Sequence, residues 1–272
     1  MSLVEARIAG RTFRFDSARY VDLSIPLSFQ DEGLSAFGVP PASVRTVETA
    51  RFTGDTRRGG SCNVREYRIT PHCHGTHTEC VSHIVDQEIS VAEVVGDACI
   101  PATLISITLE KGGDCAESYI SGKEEDDLLI TRRHLNEKLE RLDDEVFHHA
   151  LIVRTLPNSS TKKKQRYASA SYFSNEAMAE IARRKVNHLL VDVPSVDRMD
   201  DQGKLSNHRL FWEVPSGSRD LREARAPHRT ITELIFALDE AHDGYYLLDL
   251  QIAPFSCDAA PSRPLIFPVE VS

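Results

Sequence analysis

Two kinds of hydrophobic pattern run along the chain. ATLISITL (102–109) and ALIVRT (150–155) are compact runs dominated by aliphatic and β-branched residues, as strands covered on both faces are. YVDLSIPL (20–27) and CNVREYRIT (62–70) alternate apolar and polar side chains and end at or just before a proline, the mark of half-buried strands. HLLVDV (188–193), YYLLDLQIAPF (245–255) and PLIFPVEV (264–271) complete the predicted strands. Two helices fall between them. Thr131 is placed to cap one in which Leu135, Leu139 and Leu142 recur at three- to four-residue spacing, and Ser174 to cap NEAMAEIARRK (175–185), which runs straight into HLLVDV. Helix followed by buried strand is the grammar of an α/β protein. Residues 30–43, with two glycines and two prolines, read as a loop able to cover a pocket, and 194–229 as a long, mostly irregular segment.

No repeat and no Gly/Ser-rich linker divides the 272 residues, which are therefore expected to form a single domain, 1–272. With 41% hydrophobic and 27% charged residues the chain is neither disordered nor fibrous. A net charge of −9 argues against nucleic acid as a partner. No apolar run reaches the roughly 18 residues of a membrane span, and the start lacks a secretory apolar stretch, so the expectation is a cytoplasmic protein without a membrane partner. The six cysteines show no CxxC spacing and are expected to be reduced thiols. The run KKK at 162–164 reads as a solvated loop.

The histidines break this ordinary picture. Four of the 11 lie between His72 and His83, where an even spread would put about half of one. Imidazole and carboxylate are ligands of divalent zinc or manganese. On an extended backbone His77 and Glu79 project from one face and can reach one ion, while Thr78 faces away. Gly75 permits the close approach that brings such a turn into a cavity. His72, His74 and His77 also match the HxHxxH spacing of other metallohydrolases.

The pattern Gly75-Thr76-His77-x-Glu79-x-x-x-His83 resembles the signature HxGTHxDxPxH of the cyclase family of metal-dependent hydrolases, which includes kynurenine formamidase and isatin hydrolase. VDLSIPLS (21–28) resembles that family's opening strand, ALIVRT its central strand, and residues 172–197 its helix and strand ending in DxPSxD. Asn207-His208-Arg209, Thr232-Glu233-Leu234 and DAAPSRPLIFP (258–268) follow in the family's order. The resemblance implies an α/β, cyclase-like (swivelling β/β/α) fold with a central β-barrel-like sheet and flanking helices. It implies one or two zinc or manganese ions held by His77 and Glu79, with His208 and Glu233 completing a second site, and His83 as general acid/base. It also implies a homodimer or homotetramer.

Alignment on Gly75 puts Cys73 where the first ligand belongs, with His72 one residue before and His74 one after. Cys73 and His74 are alternatives. His72 is favoured, because one extra loop residue restores its reach and a metallohydrolase tends to keep a nitrogen/oxygen shell. The expected activity is hydrolysis of a small amide, cyclic amide or lactone by activated water. Phe29, Phe37 and Trp212 are candidates for gripping the substrate. Thr76 is expected to bond backbone rather than substrate, and Asp192, Ser195 and Asp197 either to support ligands or to shape a turn. Two rival readings stand beside this one: a non-catalytic, metal-stabilised ligand-binding relative, and cysteine chemistry at Cys73 or Cys80.

Overall fold

A computed structural model of the chain describes residues 3–29, 33–96 and 98–271. Gln30, Asp31 and Glu32, which open the expected covering loop, lie outside the described residues. Besides the edge strand Val21–Asp22, seven strands form the central sheet: β1 (His77–Glu79), β2 (Ile100–Thr108), β3 (Ala150–Leu156), β4 (His188–Val191), β5 (Thr230–Glu233), β6 (Gly244–Ile252) and β7 (Ala259–Pro268). They close into a barrel-like ring in the order β6, β2, β3, β4, β5, β1, β7 and back to β6. β2 to β5 run parallel, while β1 lies antiparallel between β5 and β7. The expected barrel-like sheet with flanking helices is therefore present.

The aliphatic-rich strands have two buried faces, and their alternation sorts the side chains. Ile100, Ala102, Leu104, Ala150, Ile152 and Leu190 fill the barrel together with Leu248 and Ile266. The intervening Ile105, Ile107, Leu151, Val153, Leu189 and Val191 pack outward against helices. Each such leucine, isoleucine or valine contributes about 1.5–3 kcal/mol when fully buried.

Besides a single turn at Val91–Val94, the α-helices among the described residues are α1 (Pro71–His74), α2 (Arg132–Leu139), α3 (Asn175–Arg183) and α4 (Ser206–Trp212). Thr131 and Ser174 cap α2 and α3 by accepting from the amides of His134 and Ala177. Their inward faces carry Leu135 and Leu139, and Ala177, Met178 and Ile181.

Three expectations need correction. Of residues 20–27 only Val21–Asp22 pair, at the edge of β7, and of 62–70 only Arg65–Arg68, on a two-stranded ribbon with Ser43–Thr46. The stretch 194–229 is mostly irregular, as expected, and also holds the short α4, entered through Leu205 in the left-handed conformation. Lys162 is no solvated side chain: its Nζ lies 2.8 Å from Asp192 Oδ2, which is buried. An N-terminal hairpin, Leu3–Ile8 with Arg11–Asp16, buries Phe13 and Phe15 against Phe147 and Leu247.

Candidate metal centre

β1 is three residues long, but both its neighbours hold it in register. Glu233 and Ile231 of β5 stand opposite His77 and Glu79, so these side chains share the face turned toward α4. Thr78 points the other way and its hydroxyl lies 2.8 Å from that of Thr232. Just before the strand, the Thr76 hydroxyl donates to Leu234 O and accepts from Ile25 N at 2.8 Å, tying three segments together. A Cβ on Gly75 would lie 2.8 Å from Leu27 Cδ2, so a larger residue there would push Leu27 aside.

Around this strand converge α1 with His72, the turn Val81–His83 with His83, and α4 with His208. His72 Nδ1 lies 3.0 Å from Glu79 Oε2 and His208 Nε2 lies 2.9 Å from Glu79 Oε1. His77 Nε2 is 3.5 Å from Glu233 Oε2. His83 sits at the more open edge, its Nδ1 3.5 Å from Asp258 Oδ2 and 3.9 Å from Glu79 Oε2. Within each of three sets the donor atoms lie within 4.8 Å of one another: His72, His77 and Glu79; His72, His83 and Asp258; Glu79, His83 and His208.

Whether a cation suits these residues is decided by what the protein leaves unsatisfied. His77 Nε2 and Glu79 Oε2 are fully buried without a hydrogen-bond partner among the described residues; His72 Nδ1 is near Glu79 Oε2 but off the hydrogen-bonding direction. Orphaned polar atoms in a protein interior are costly, about 1–3 kcal/mol each. The opposite nitrogens of the histidines are anchored. His77 Nδ1 lies 3.0 Å from Gly75 O, His208 Nδ1 2.6 Å from Asp197 Oδ2, and His72 Nε2 2.9 Å from Asp258 Oδ2. A carbonyl or carboxylate behind each ring fixes the tautomer that turns a lone pair toward the cluster, as in metal sites. The donor set is nitrogen and oxygen, which suits zinc or manganese.

Burial would raise the carboxyl of Glu79, but His83 and His208 hold it well below the usual range. Burial would likewise push the imidazoles down, yet Asp258 and Glu79 hold His72 up to about 10, and Glu79 and Asp197 hold His208 well above its ordinary value. Without an ion, protons on His72 and His208 offset the buried carboxylates.

Each residue singled out from the sequence has a definite place. His72, His77, Glu79, His83 and His208 come together, and Glu233 reaches the group through His77 while its Oε1 accepts from Val196 N at 2.8 Å. The alternatives at the first position do not join. His74 is fully engaged, Nδ1 accepting from Thr70 N and Nε2 2.9 Å from Pro40 O. Cys73 is buried, and burial followed by the charge of Glu233 pushes its thiol up to about 11. Cys80 is likewise raised to about 11, chiefly by burial, which disfavours a thiolate nucleophile at either position. Trp212 is not free to grip a ligand: it is fully buried, donates to Arg229 O and backs the ring of His208 at 5.6 Å. Phe29 packs on Tyr67, and Phe37 is exposed on a turn.

Of the three residues at the strand end, Asp197 supports His208, Ser195 accepts from the Asp197 amide, and Asp192 serves Lys162 instead. Sequence reasoning missed Asp258, whose only signal was its place at the head of the closing strand. β7 pairs with β1 from Ala259 opposite Glu79, which sets the preceding residue beside the cluster.

The family model described as "Putative cyclase" matches residues 21–198, well over half of the chain. The chain belongs to the cyclase family. No curated protein matches this cyclase-family sequence. Among solved structures it is similar to a predicted metal-dependent hydrolase from Bacillus stearothermophilus, at 15% identity and TM-score 0.54 over 92% of this chain and 98% of that one. Isatin hydrolase A from Labrenzia aggregata, bound to benzyl benzoate, is 14% identical with TM-score 0.59 over 93% and 94%. Isatin hydrolase A from Ralstonia solanacearum is 16% identical with TM-score 0.56 over 92% and 91%. At these identities the likeness is one of fold. No helix among the described residues is long and apolar enough to cross a membrane.

Proposed function

We propose that this cyclase-family protein is a metal-dependent hydrolase of a small amide, cyclic amide or lactone. The observation that carries the reading is the pair of orphaned buried atoms, His77 Nε2 and Glu79 Oε2, facing one cluster beside the half-open His83. His72, His77 and Glu79 would hold the ion. His208, Glu233 and the second oxygen of Glu79 stand where a second ion would be held. When bound, a divalent zinc or manganese ion supplies Lewis acidity, making water more acidic and polarising a carbonyl oxygen.

The chain's own part is positioning and proton transfer. His83 keeps Nδ1 toward Asp258 and Glu79, which leaves Nε2 to take a proton from the attacking water and return it to the leaving nitrogen or oxygen. Asp197 and the Gly75 carbonyl hold His208 and His77 so that neither ring turns during the reaction.

The test is a panel of arylformamides, cyclic amides and lactones headed by isatin, the compound for which the similar hydrolases are named, assayed with zinc and with manganese. Metal-dependent turnover lost in His83→Ala supports the reading. Metal retention without turnover of any member overturns the hydrolase and leaves a metal-stabilised binding protein.

A further inference from the structure

We propose that Asp258 is a positioning residue shared by the metal-holding histidine His72 and the proton-transfer histidine His83, coupling ion affinity to proton transfer through one carboxylate. The inference rests on the metal-dependent reading above and adds to it a residue outside the motif.

The geometry is unusual in serving two rings at once. Asp258 Oδ2 lies 2.9 Å from His72 Nε2 and 3.5 Å from His83 Nδ1, and the two rings are stacked at a tilt, 4.3 Å apart. His72 turns its other nitrogen toward Glu79 Oε2. With Nδ1 given to an ion, Nε2 carries the ring's remaining proton and donates it, so Asp258 acts as the partner of His72 rather than as a fellow ligand; both nitrogens could bind ions only if the ring lost its last proton. The arrangement repeats on the other side of the cluster, where Asp197 stands behind His208. Asp197 is sealed by Tyr119 and the Asn207 amide, whereas the Asp258 side chain is 40% exposed and open to a second ring.

A local shift in the chain sets where Asp258 meets its first ring. Cys73 occupies the position where the family signature places its first histidine, and a one-residue displacement on a helical turn rotates a side chain by about 100°. His72, one residue earlier on α1, is the side chain that reaches the cluster. The backbone that delivers Asp258 is well fixed: its carbonyl accepts from Cys80 N at 3.0 Å, and the preceding Cys257 carbonyl accepts from Val91 N at 2.9 Å. Both bonds tie the head of β7 to the segment carrying His83.

The experiment is calorimetric titration of the chelator-stripped full chain with manganese, comparing wild type, Asp258→Asn and Asp258→Glu, with the melting temperature of each ion-free chain measured alongside. Asparagine keeps the shape but loses the charge, and is expected to weaken manganese binding 10- to 100-fold while the ion-free melting temperature stays within a few degrees. Glutamate is expected to recover most of the affinity, which a merely structural role would not predict. At saturating manganese, turnover by Asp258→Asn remains at least tenfold reduced because His83 has also lost its partner. Equal affinity in wild type and Asp258→Asn overturns the role at His72, and full turnover at saturating manganese overturns the role at His83. A wild-type chain that takes up no manganese or zinc brings down the metal reading itself, and this inference with it. If Asp258→Asn does not fold, the Asp258→Glu titration decides alone: manganese binding no stronger than that of His72→Ala overturns the proposal.

Discussion

Asp192 and Glu79 are both buried carboxylates on the same barrel, one in line with the inward-facing Leu190 beyond the end of β4, the other on the outward face of β1. Their surroundings diverge. Asp192 Oδ2 receives Lys162 Nζ at 2.8 Å together with the amide and hydroxyl of Thr155, so its cation is part of the chain. Burial nevertheless raises the Asp192 carboxyl, and its other oxygen has no partner among the described residues. Among the described residues Glu79 has no lysine or arginine as ion-pair partner: its counter-charges are histidines, and these hold its carboxyl well below the usual range against the effect of burial. A lysine is a permanent counter-ion, whereas protons on imidazoles can be exchanged for a metal ion. The first arrangement closes a loop; the second holds a place for a cation from outside.

The sharpest way to break this contrast is to remove a ring from the second site. His77→Ala is expected to lose both bound ion and detectable turnover, read by elemental analysis and assay. His83→Ala is expected to keep the ion and lose turnover about 10²- to 10⁴-fold, and ion loss here would place His83 among the ligands. At the first site, Lys162→Met leaves an uncompensated buried charge and should cost about 3–5 kcal/mol in denaturant unfolding with ion content unchanged.

The two sites should also differ in their response to pH. In the ion-free chain His72 holds its proton up to about pH 10, so its contribution to stability is complete below 6.5 and is lost as pH climbs through about 10. An ion must displace that proton, so affinity should rise with pH in the same window, about tenfold per unit for each proton released. A flat profile would show that the imidazoles are not the exchanged counter-charges. The smallest effect is expected from Cys73→Ser: less than tenfold on ion affinity, since the buried thiol joins none of the ligand sets.

Much of this was legible in the residues. Compact, aliphatic-rich runs gave β2, β3 and β4, because strands covered on both faces carry few polar positions to confuse the pattern, and the caps Thr131 and Ser174 marked their helices. The pairing of His77 with Glu79 followed from the two-residue period of a strand. The rest depended on contacts distant in sequence. α4 escaped because seven residues flanked by left-handed Leu205 and Glu213 show no capping signal, although His208, Phe211 and Trp212 lie at the spacing of one helical face. Lys162 looked like one of three solvated lysines, and nothing beside it announces Asp192, 30 residues away. Asp258 meets His72 across 186 residues, through the register of β7 on β1 alone.

The central claim is that the His72, His77 and Glu79 cluster is a divalent-cation site. Its most direct measurement is elemental analysis of wild type and Glu79→Gln purified without chelator, followed by titration of the stripped chains with zinc. The account predicts at least one equivalent of zinc or manganese per wild-type chain, with protons released on binding, and none retained by Glu79→Gln. Wild-type protein that carries and takes up no divalent ion, or a Glu79→Gln chain that binds as tightly as wild type, would contradict it.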